Sequence, residues 1–223
     1  MTKVLIFLTN QATMGNTDEA NGTYTPELTH AVEEFIKAGL DYDLVSIKGG
    51  QAPIYGEEDS DDVTQTLLAD EKFSNKLANT LKAEAINLDD YQGVYYPGGY
   101  GLLWDLIDNQ EVAAQTAKLY QQGAVVGAVC HGPGALLPIT LDNGESIIAG
   151  KAVTSFTREE EIDYNTIDKI PLLIEEHLTR KAGSFSKKAP WGEHVIVDGN
   201  LITGQNPASA GAVGRAMATQ LTK

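Results

Sequence analysis

The sequence predicts an α/β fold with a mostly parallel central sheet that is covered by helices on both faces. Short runs of β-branched, aromatic and other apolar residues recur along the chain and alternate with segments of 3.6-residue periodicity. These runs are nearly continuous in apolar residues, which is typical of parallel strands buried on both faces. The length of 223 residues, with 42% hydrophobic and 21% charged residues, fits a single domain over residues 1–223.

The predicted strands are bounded by polar residues, glycine or proline. In chain order they are KVLIFLT (3–9), YDLVSI (42–47), GVYYP (93–97), AVVGAV (124–129), KAVTS (151–155) and HVIVD (194–198), the last followed by LITG. The first of them is too short for a signal-peptide core or a membrane span, so we interpret it as a buried strand.

Three helices are predicted between or after these strands. The first runs from Pro26 to Ala38, because it opens on a proline, closes at Gly39 and places apolar residues on one face. The second, from Glu111 to Gln122, repeats this plan and ends at Gly123. The third runs from Pro207 to Leu221 and is rich in small residues.

Charge and cysteine content narrow the class of protein. Acidic residues outnumber basic ones by 31 to 16, so phosphate backbones and anionic membrane surfaces would be repelled. We therefore expect neither nucleic acid nor a membrane as a partner. A single cysteine permits no intramolecular disulfide and no cysteine metal cluster, and it favours a reducing cytoplasm as the location.

The only cysteine, Cys130, stands where the apolar run AVVGAV ends and His131 follows. If that run is a central strand, the chain must turn sharply into a helix that begins near Gly132. Such a turn needs small residues two positions before and after it, where Ala128 and Gly132 stand. A helix start would favour the thiolate, and the N–H groups after the turn can hold a developing oxyanion. The sequence therefore favours a nucleophile elbow over a buried structural cysteine.

A second group for oxyanion binding is Pro97-Gly98-Gly99, at the end of the predicted strand GVYYP. Glycines let backbone amides approach a substrate without a Cβ in the way. Taken alone, this segment is a simple turn. Because ligands of parallel sheets bind at the carboxyl ends of the strands, where Cys130 also lies, we interpret it as part of the site.

Several motifs in one order resemble the ThiJ/PfpI superfamily, whose members have the class I glutamine amidotransferase-like, flavodoxin-type fold. They are GTYTPEL (22–28), PGG (97–99), VCHGPGAL (129–136), VTSFTREEE (153–161) and TGQNPASA (203–210). The resemblance spans nearly the whole chain and is closest to the branch of chaperone-like, glutathione-independent glyoxalases, also called glyoxalase III. It implies a flavodoxin-like three-layer sandwich with a nucleophile elbow, and a homodimer.

The resemblance also implies roles for the residues that carry it. Cys130 matches the nucleophile and His131 its neighbouring histidine. Glu27 matches an acid from the first helix, which we expect to hydrogen-bond toward the sulfur. Glu161 matches the acid that orients the histidine, although the run of three glutamates leaves Glu160 open as the alternative.

Further residues match binding positions. The backbone amides of Gly99 and His131 match the oxyanion donors. The substrate- or oxyanion-binding set that the resemblance implies is completed by Gly98, Tyr24, Tyr100 and Asn206. Tyr100 is a departure, because relatives in this branch often carry histidine there. Tyrosine can donate a hydrogen bond but cannot act as a base near neutrality, so this residue bears on substrate preference or rate.

The function that this resemblance implies is conversion of methylglyoxal or glyoxal to a hydroxy acid, lactate or glycolate, through a hemithioacetal on Cys130. The substrate is a small dicarbonyl, and neither metal, nucleotide nor glutathione is required. The sequence agrees with this expectation, since it contains no P-loop, no dinucleotide fingerprint and no His/Cys cluster with metal-ligand spacing.

Other functions stay open at this point. A stress-response holdase chaperone or a cysteine oxidation sensor is the main alternative, because an accessible thiol beside a carboxylic acid also suits oxidation. A glutamine amidotransferase is disfavoured, since neither His177 nor His194 begins the late His-x-Glu pair of those enzymes. A cysteine peptidase would need an open cleft, which the sequence neither shows nor excludes.

Overall fold

The computed structural model describes residues 2–59 and 61–223. Its strands within these residues are β1 (Lys3–Leu8), β2 (Thr23–Tyr24), β3 (Asp41–Ser46), β4 (Ile54–Tyr55), β5 (Leu81–Lys82), β6 (Gly93–Tyr96), β7 (Val125–Val129), β8 (Ala152–Val153), β9 (Ser184–Phe185), β10 (Val195–Asp198) and β11 (Leu201–Gly204). Its α-helices are α1 (Thr25–Lys37), α2 (Asp62–Ala69), α3 (Glu71–Ala78), α4 (Leu102–Asp105), α5 (Gln110–Gln121), α6 (Arg158–Asp163), α7 (Ile174–Lys181) and α8 (Ala210–Leu221).

Seven of these strands form one sheet in the spatial order β10-β11-β7-β6-β1-β3-β5. All neighbours pair in parallel except β10 and β11, which form an antiparallel hairpin at one edge. The carboxyl ends of β6 and β7 are adjacent, because Tyr96 pairs with Ala128. This register brings the Gly98-Gly99 turn beside Cys130, as ligand sites of parallel sheets require.

Side chains of the central strand β1 alternate between two apolar cores. Leu5 and Phe7 belong to one core, which α4, α5 and α7 cover. Val4 and Ile6 belong to the other core, which includes buried residues of α1 and α8. The three-layer α/β sandwich with a mostly parallel sheet is therefore confirmed. No helix in the described part of the chain is long and apolar enough to cross a membrane.

The structure differs from the prediction in several places, and three of them concern the strands and the chain after Cys130. The run KAVTS does not join the central sheet, because its two-residue strand β8 pairs with β9 in a separate small sheet. The edge strand β5 was not predicted, since two exposed residues carry no periodicity. After Cys130 the chain forms a five-residue 3₁₀ segment, Gly132–Leu136, where an α-helix was expected.

Candidate active site

Cys130 occupies a strained turn directly after β7. Its φ of 60° lies in the left-handed region, which β-carbon-bearing residues rarely adopt. The turn is held by hydrogen bonds from Cys130 N to Gly204 O (3.0 Å) and from Phe156 N to Cys130 O (2.9 Å). Gly132 is required because a Cβ there would lie 2.3 Å from Tyr96 O. The predicted sharp turn between the strand and the following helical segment is therefore confirmed.

The electrostatic environment of the thiol differs from the expectation. Burial, and then the charge and proximity of the Glu27 carboxyl, raise the pKa of Cys130 well above its ordinary value. The short 3₁₀ segment lacks the aligned peptide dipoles of a long helix, so little opposes this effect. In the free protein the thiol is therefore protonated at neutral pH and needs a neighbouring base to become a nucleophile.

His131 and Glu161 form a buried hydrogen-bonded pair beside the thiol. Cys130 Sγ lies 3.2 Å from His131 Nδ1, and His131 Nε2 lies 2.7 Å from Glu161 Oε1. With Nε2 protonated toward the carboxylate, Nδ1 is the acceptor that faces the thiol. Burial alone would raise the pKa of Glu161, but His131, Thr166 and Tyr100 outweigh it and lower that pKa. The orienting acid in this arrangement is Glu161 and not Glu160.

The second oxygen of Glu161 is also held. Its Oε2 accepts hydrogen bonds from the hydroxyls of Thr166 and, at 3.3 Å, Tyr100. Burial, and then the charge of Glu161, raises the pKa of Tyr100, so this phenol remains a donor. Tyr100 therefore reaches the acid of the Cys130–His131–Glu161 triad.

Glu27 is buried on the other side of the sulfur. Gly98 separates the two groups, since a Cβ on this glycine would lie 2.3 Å from Glu27 Oε2 and 2.7 Å from Cys130 Cβ. Burial raises the pKa of Glu27 to about 8, although the nearby Cys130 thiol and Gly98 N–H limit the rise. The Glu27 carboxyl lies close to the sulfur, as expected, but neither neighbour completes a hydrogen bond of normal geometry to its oxygens. This leaves a buried carboxyl with two unsatisfied oxygens.

Two backbone N–H groups at the same edge of the sheet have no acceptor among the described residues. They belong to Gly99 and His131, the two positions that match the oxyanion donors of the superfamily. The His131 N–H lies close to Gly98, within 3.0 Å of the position a Cβ on that glycine would take. Unpaired donors of this kind stabilise negative charge that develops on a substrate oxygen.

Cys130, His131 and Glu27 line one pocket of about 400 Å³, including its mouth, whereas Glu161 bonds to His131 and does not line it. Ten residues line it: Tyr24, Glu27, Tyr55, Tyr100, Cys130, His131, Phe156, Tyr164, Trp191 and Pro207. Sequence reasoning did not single out Tyr55, Phe156, Tyr164, Trp191 or Pro207 as site residues. Phe156 and Pro207 lie inside the motifs VTSFTREEE and TGQNPASA. Tyr164 and Trp191 lie in irregular segments that carry no periodic signal.

Asn206 does not line this pocket. It is fully buried, and its Nδ2 donates to Glu160 Oε1 and to Gly192 O, both at 2.8 Å. Its Oδ1 accepts from Ser209 Oγ at 3.0 Å. Within residues 2–59 and 61–223, no group of three or more His, Cys, Asp or Glu side chains is arranged to hold a metal ion.

Comparisons with known proteins identify the family to which the chain belongs. The model of the DJ-1/PfpI family matches residues 19–220. The chain is 31% identical to the glutathione-independent glyoxalase HSP31 of Saccharomyces cerevisiae, with 93% of both chains covered. It is also 31% identical to glyoxalase 3 of Candida albicans, with 94% of both chains covered.

Solved structures give the same relationship. The Rapid Encystment Protein of 24 kDa from Francisella tularensis superposes with a TM-score of 0.94 at 32% identity, over all of both chains. Glyoxalase III from Candida albicans superposes with a TM-score of 0.88 at 27% identity, over 98% of this chain and 96% of that one.

Proposed function

Since the chain belongs to the DJ-1/PfpI family, we propose that it is a glutathione-independent glyoxalase of the glyoxalase III type. The curated relatives that cover more than nine-tenths of it carry that activity in their names. The substrate is a small 2-oxoaldehyde such as methylglyoxal or glyoxal, and the product is the corresponding 2-hydroxy acid. We propose catalytic roles for Cys130, His131, Glu27 and Glu161.

The observation that carries this proposal is the pair of carboxyl oxygens on Glu27. They are buried beside Cys130 without a hydrogen-bond partner, and the side chain lines the pocket. Burying an unsatisfied carboxyl is costly, so its retention is best explained by a substrate that meets it. A pKa of about 8 suits a group that must both accept and return a proton near neutral pH.

The reaction begins with addition of sulfur to the aldehyde. His131 Nδ1, 3.2 Å from the sulfur, takes the thiol proton as Sγ bonds to the aldehyde carbon. Glu161 stabilises the imidazolium that forms. The aldehyde oxygen becomes an oxyanion, which the N–H groups of Gly99 and His131 stabilise. The proton then passes from His131 to this oxygen, giving a hemithioacetal.

Isomerisation and hydrolysis follow. Ionised Glu27 takes the proton from the former aldehyde carbon, and the electron pair moves toward the adjacent carbonyl. The hydroxyl proton of the hemithioacetal passes to that carbonyl oxygen, which gives the enediol as its monoanion. Protonated Glu27 then returns its proton to that second carbon, leaving a thioester of a 2-hydroxy acid. Water attacks the thioester, and the sulfur leaves with a proton returned through His131. Methylglyoxal plus water gives lactate, with no net oxidation and no cofactor.

We also propose a homodimer, one domain over the whole chain, and a cytoplasmic location. The superfamily resemblance supports the dimer, and the single cysteine supports a reducing compartment. Sedimentation velocity of the purified protein tests the dimer directly, and a monomer at micromolar concentration would contradict it.

The test of function is consumption of methylglyoxal by wild type, Cys130→Ala and Glu27→Gln, without glutathione and with a chelator present. We expect no turnover by Cys130→Ala, because the chain has no other thiol. Glu27→Gln should lose roughly 10²–10⁴-fold, the range for a positioned acid–base group. Equal rates in all three proteins would contradict the proposal, and an inactive wild type would favour the oxidation-sensor or holdase alternative.

A further inference from the structure

Glu160 is a buried carboxyl that the proposed reaction does not use. Its Oε2 accepts from the backbone N–H (2.9 Å) and the hydroxyl (2.8 Å) of Thr157. Its Oε1 accepts from Trp191 N–H (2.8 Å), Gln205 Nε2 (3.1 Å) and Asn206 Nδ2 (2.8 Å). None of these donors carries a charge. A fully buried carboxyl with five neutral donors joins α6 to the loop before β10 and to the loop after β11.

The donor that stands out in this set is the backbone of Trp191. Its φ is 65°, so a large side chain is held in the left-handed region. Such a conformation persists where surrounding contacts determine it, and the hydrogen bond to Glu160 is the contact made by the Trp191 N–H itself. The amides of Gln205 and Asn206 support the same loop through Lys188 O (3.4 Å) and Gly192 O (2.8 Å).

Held in this way, the Trp191 indole completes a closed ring of five aromatic side chains around the pocket. The successive centroid distances are 4.2 Å (His131–Tyr100), 6.4 Å (Tyr100–Tyr164), 6.1 Å (Tyr164–Trp191), 5.6 Å (Trp191–Phe156) and 4.7 Å (Phe156–His131). We call this set of five side chains the aromatic wall.

The exposed fraction of the side chains increases along the aromatic wall from the sulfur toward the mouth of the pocket. Cys130 and His131 are nearly inaccessible, whereas Trp191 is 44% and Tyr164 is 52% exposed. An aldehyde carbon bonded to the sulfur therefore places the rest of the substrate toward Tyr164 and Trp191. Among the described residues, no lysine or arginine lines the pocket, so these side chains offer flat apolar surface and no counter-charge for an anion.

We propose that Trp191 and Tyr164 determine specificity by binding the substituent on the second carbonyl carbon of the substrate, and that Glu160 is the positioning residue that holds Trp191 there. The preferred substrates are 2-oxoaldehydes that carry a flat, uncharged apolar group. This inference rests on the proposed function and names the substrate class of the same site.

The experiment compares phenylglyoxal, which has an aryl substituent, with glyoxal, which has none. In Trp191→Ala the ratio of kcat/KM for phenylglyoxal to that for glyoxal should fall about tenfold, the upper range for an aromatic pair. Glu160→Gln replaces one acceptor oxygen by a donor and should lower the ratio in the same direction, mainly through a higher KM for phenylglyoxal. A merely structural role of Glu160 would lower kcat/KM for both substrates equally.

Glu159→Gln is the matched control. Glu159 is the neighbouring glutamate, and its Oε2 lies 2.6 Å from Nζ of Lys187 in the same loop that Glu160 holds. This ion pair is exposed, and Lys187 keeps a second partner in Glu175, so little should change. The substrate ratio of Glu159→Gln should equal that of wild type.

A second readout does not depend on turnover. The chain has two tryptophans, so a Trp104→Phe background leaves Trp191 as the single tryptophan, whose emission is separated from that of the nine tyrosines by excitation at the long-wavelength edge of the tryptophan band. In that background Glu160→Gln should make the emission more accessible to acrylamide, and Glu159→Gln should not. Acetophenone, an aryl ketone without the aldehyde, should quench the emission by binding beside the indole.

The outcomes separate the two proposals. An unchanged substrate ratio in Trp191→Ala, or equal losses for both substrates in Glu160→Gln, would overturn the specificity role while the glyoxalase proposal stands. If wild type turns over neither aldehyde, the glyoxalase proposal fails, and saturable acetophenone quenching alone decides whether Trp191 binds an aryl group. If Glu160→Gln does not fold, Trp191→Ala still decides the specificity role, because its side chain lies at the surface.

Discussion

The hydroxyl of Tyr100 donates to Glu161 Oε2 at 3.3 Å, so the residue that departs from the superfamily pattern touches the acid of the triad. Its ring also lies 4.2 Å from the imidazole of His131, centroid to centroid. Tyr100 can thus influence the base that faces the thiol without contacting the sulfur through its hydroxyl. This relationship leads to the first prediction.

Tyr100→Phe should lower kcat for methylglyoxal about 3–10-fold, because one hydrogen bond to a charged group is lost while Thr166 still holds the carboxylate. KM should change little. Steady-state kinetics measure both. Tyr96→Phe is the control, since that buried hydroxyl bonds to Thr116 away from the pocket, and its kcat should stay unchanged. A raised KM with normal kcat in Tyr100→Phe would instead assign Tyr100 to substrate binding.

The pH dependence of kcat/KM should report the ionisation of Glu27. Because the ionised carboxyl is the base and its pKa is about 8, kcat/KM for methylglyoxal should rise with pH and level off above that value. Glu27→Gln should lose this rise together with most of the activity. The profiles are measured from pH 6 to 10 with both proteins. If kcat/KM of Glu27→Gln still rose with pH in the same way, the rise would reflect the ionisation of another group. Cys130 would be the first candidate.

The same carboxyl should make folding depend on pH. The folded pKa of Glu27, about 8, lies above its ordinary value of 4.5, so the folded protein holds a proton that the unfolded chain releases. The free energy of unfolding should therefore fall as pH rises from about 4.5 to 8. Glu27→Gln removes this penalty and should be more stable than wild type by about 1–3 kcal/mol at pH 8. Urea denaturation at pH 5 and pH 8 measures the difference, which should shrink at pH 5.

The strained backbone at Cys130 should affect the thermal stability of variants at this position. Glycine adopts a φ of 60° without a Cβ penalty, so Cys130→Gly should be more stable than Cys130→Ala by about 1 kcal/mol. Both variants lack the thiol and should be inactive. Thermal denaturation compares their stabilities. Ala128→Gly, in the preceding strand, is the control, because glycine should lower the stability there. An alanine variant as stable as the glycine variant would show that the turn relaxes once sulfur is removed.

The long strands and the turn at Cys130 could be predicted because their signals are local in the sequence. Apolar runs predicted the long strands β1, β3, β6, β7 and β11 to within a residue or two. The crowding of small residues around Cys130 predicted its turn, since a Cβ at Gly132 would overlap Tyr96 O. The pairing of β8 with β9 was not predictable in this way, because it depends on a strand 32 residues further along the chain.

The environment of the Cys130 sulfur could be determined only from the tertiary structure. The direction of the Cys130 pKa depends on burial and on Glu27, 103 residues away in the chain, and both opposed the local expectation from a helix start. The choice between Glu160 and Glu161 likewise depends on which carboxyl meets His131, since both lie in one run of three glutamates. Tyr164 and Trp191 reach the pocket through tertiary packing alone.

A lone cysteine often makes a protein prone to covalent dimerisation through intermolecular disulfides. Here the sulfur belongs to a residue that is 5% exposed, beneath a mouth of larger aromatic side chains. A disulfide requires two sulfurs about 2.05 Å apart with their β-carbons near 4 Å, a separation that two folded copies with recessed thiols cannot reach. The same recess admits a small aldehyde, so the fold allows the thiol to meet carbonyl compounds while excluding the thiol of a second chain.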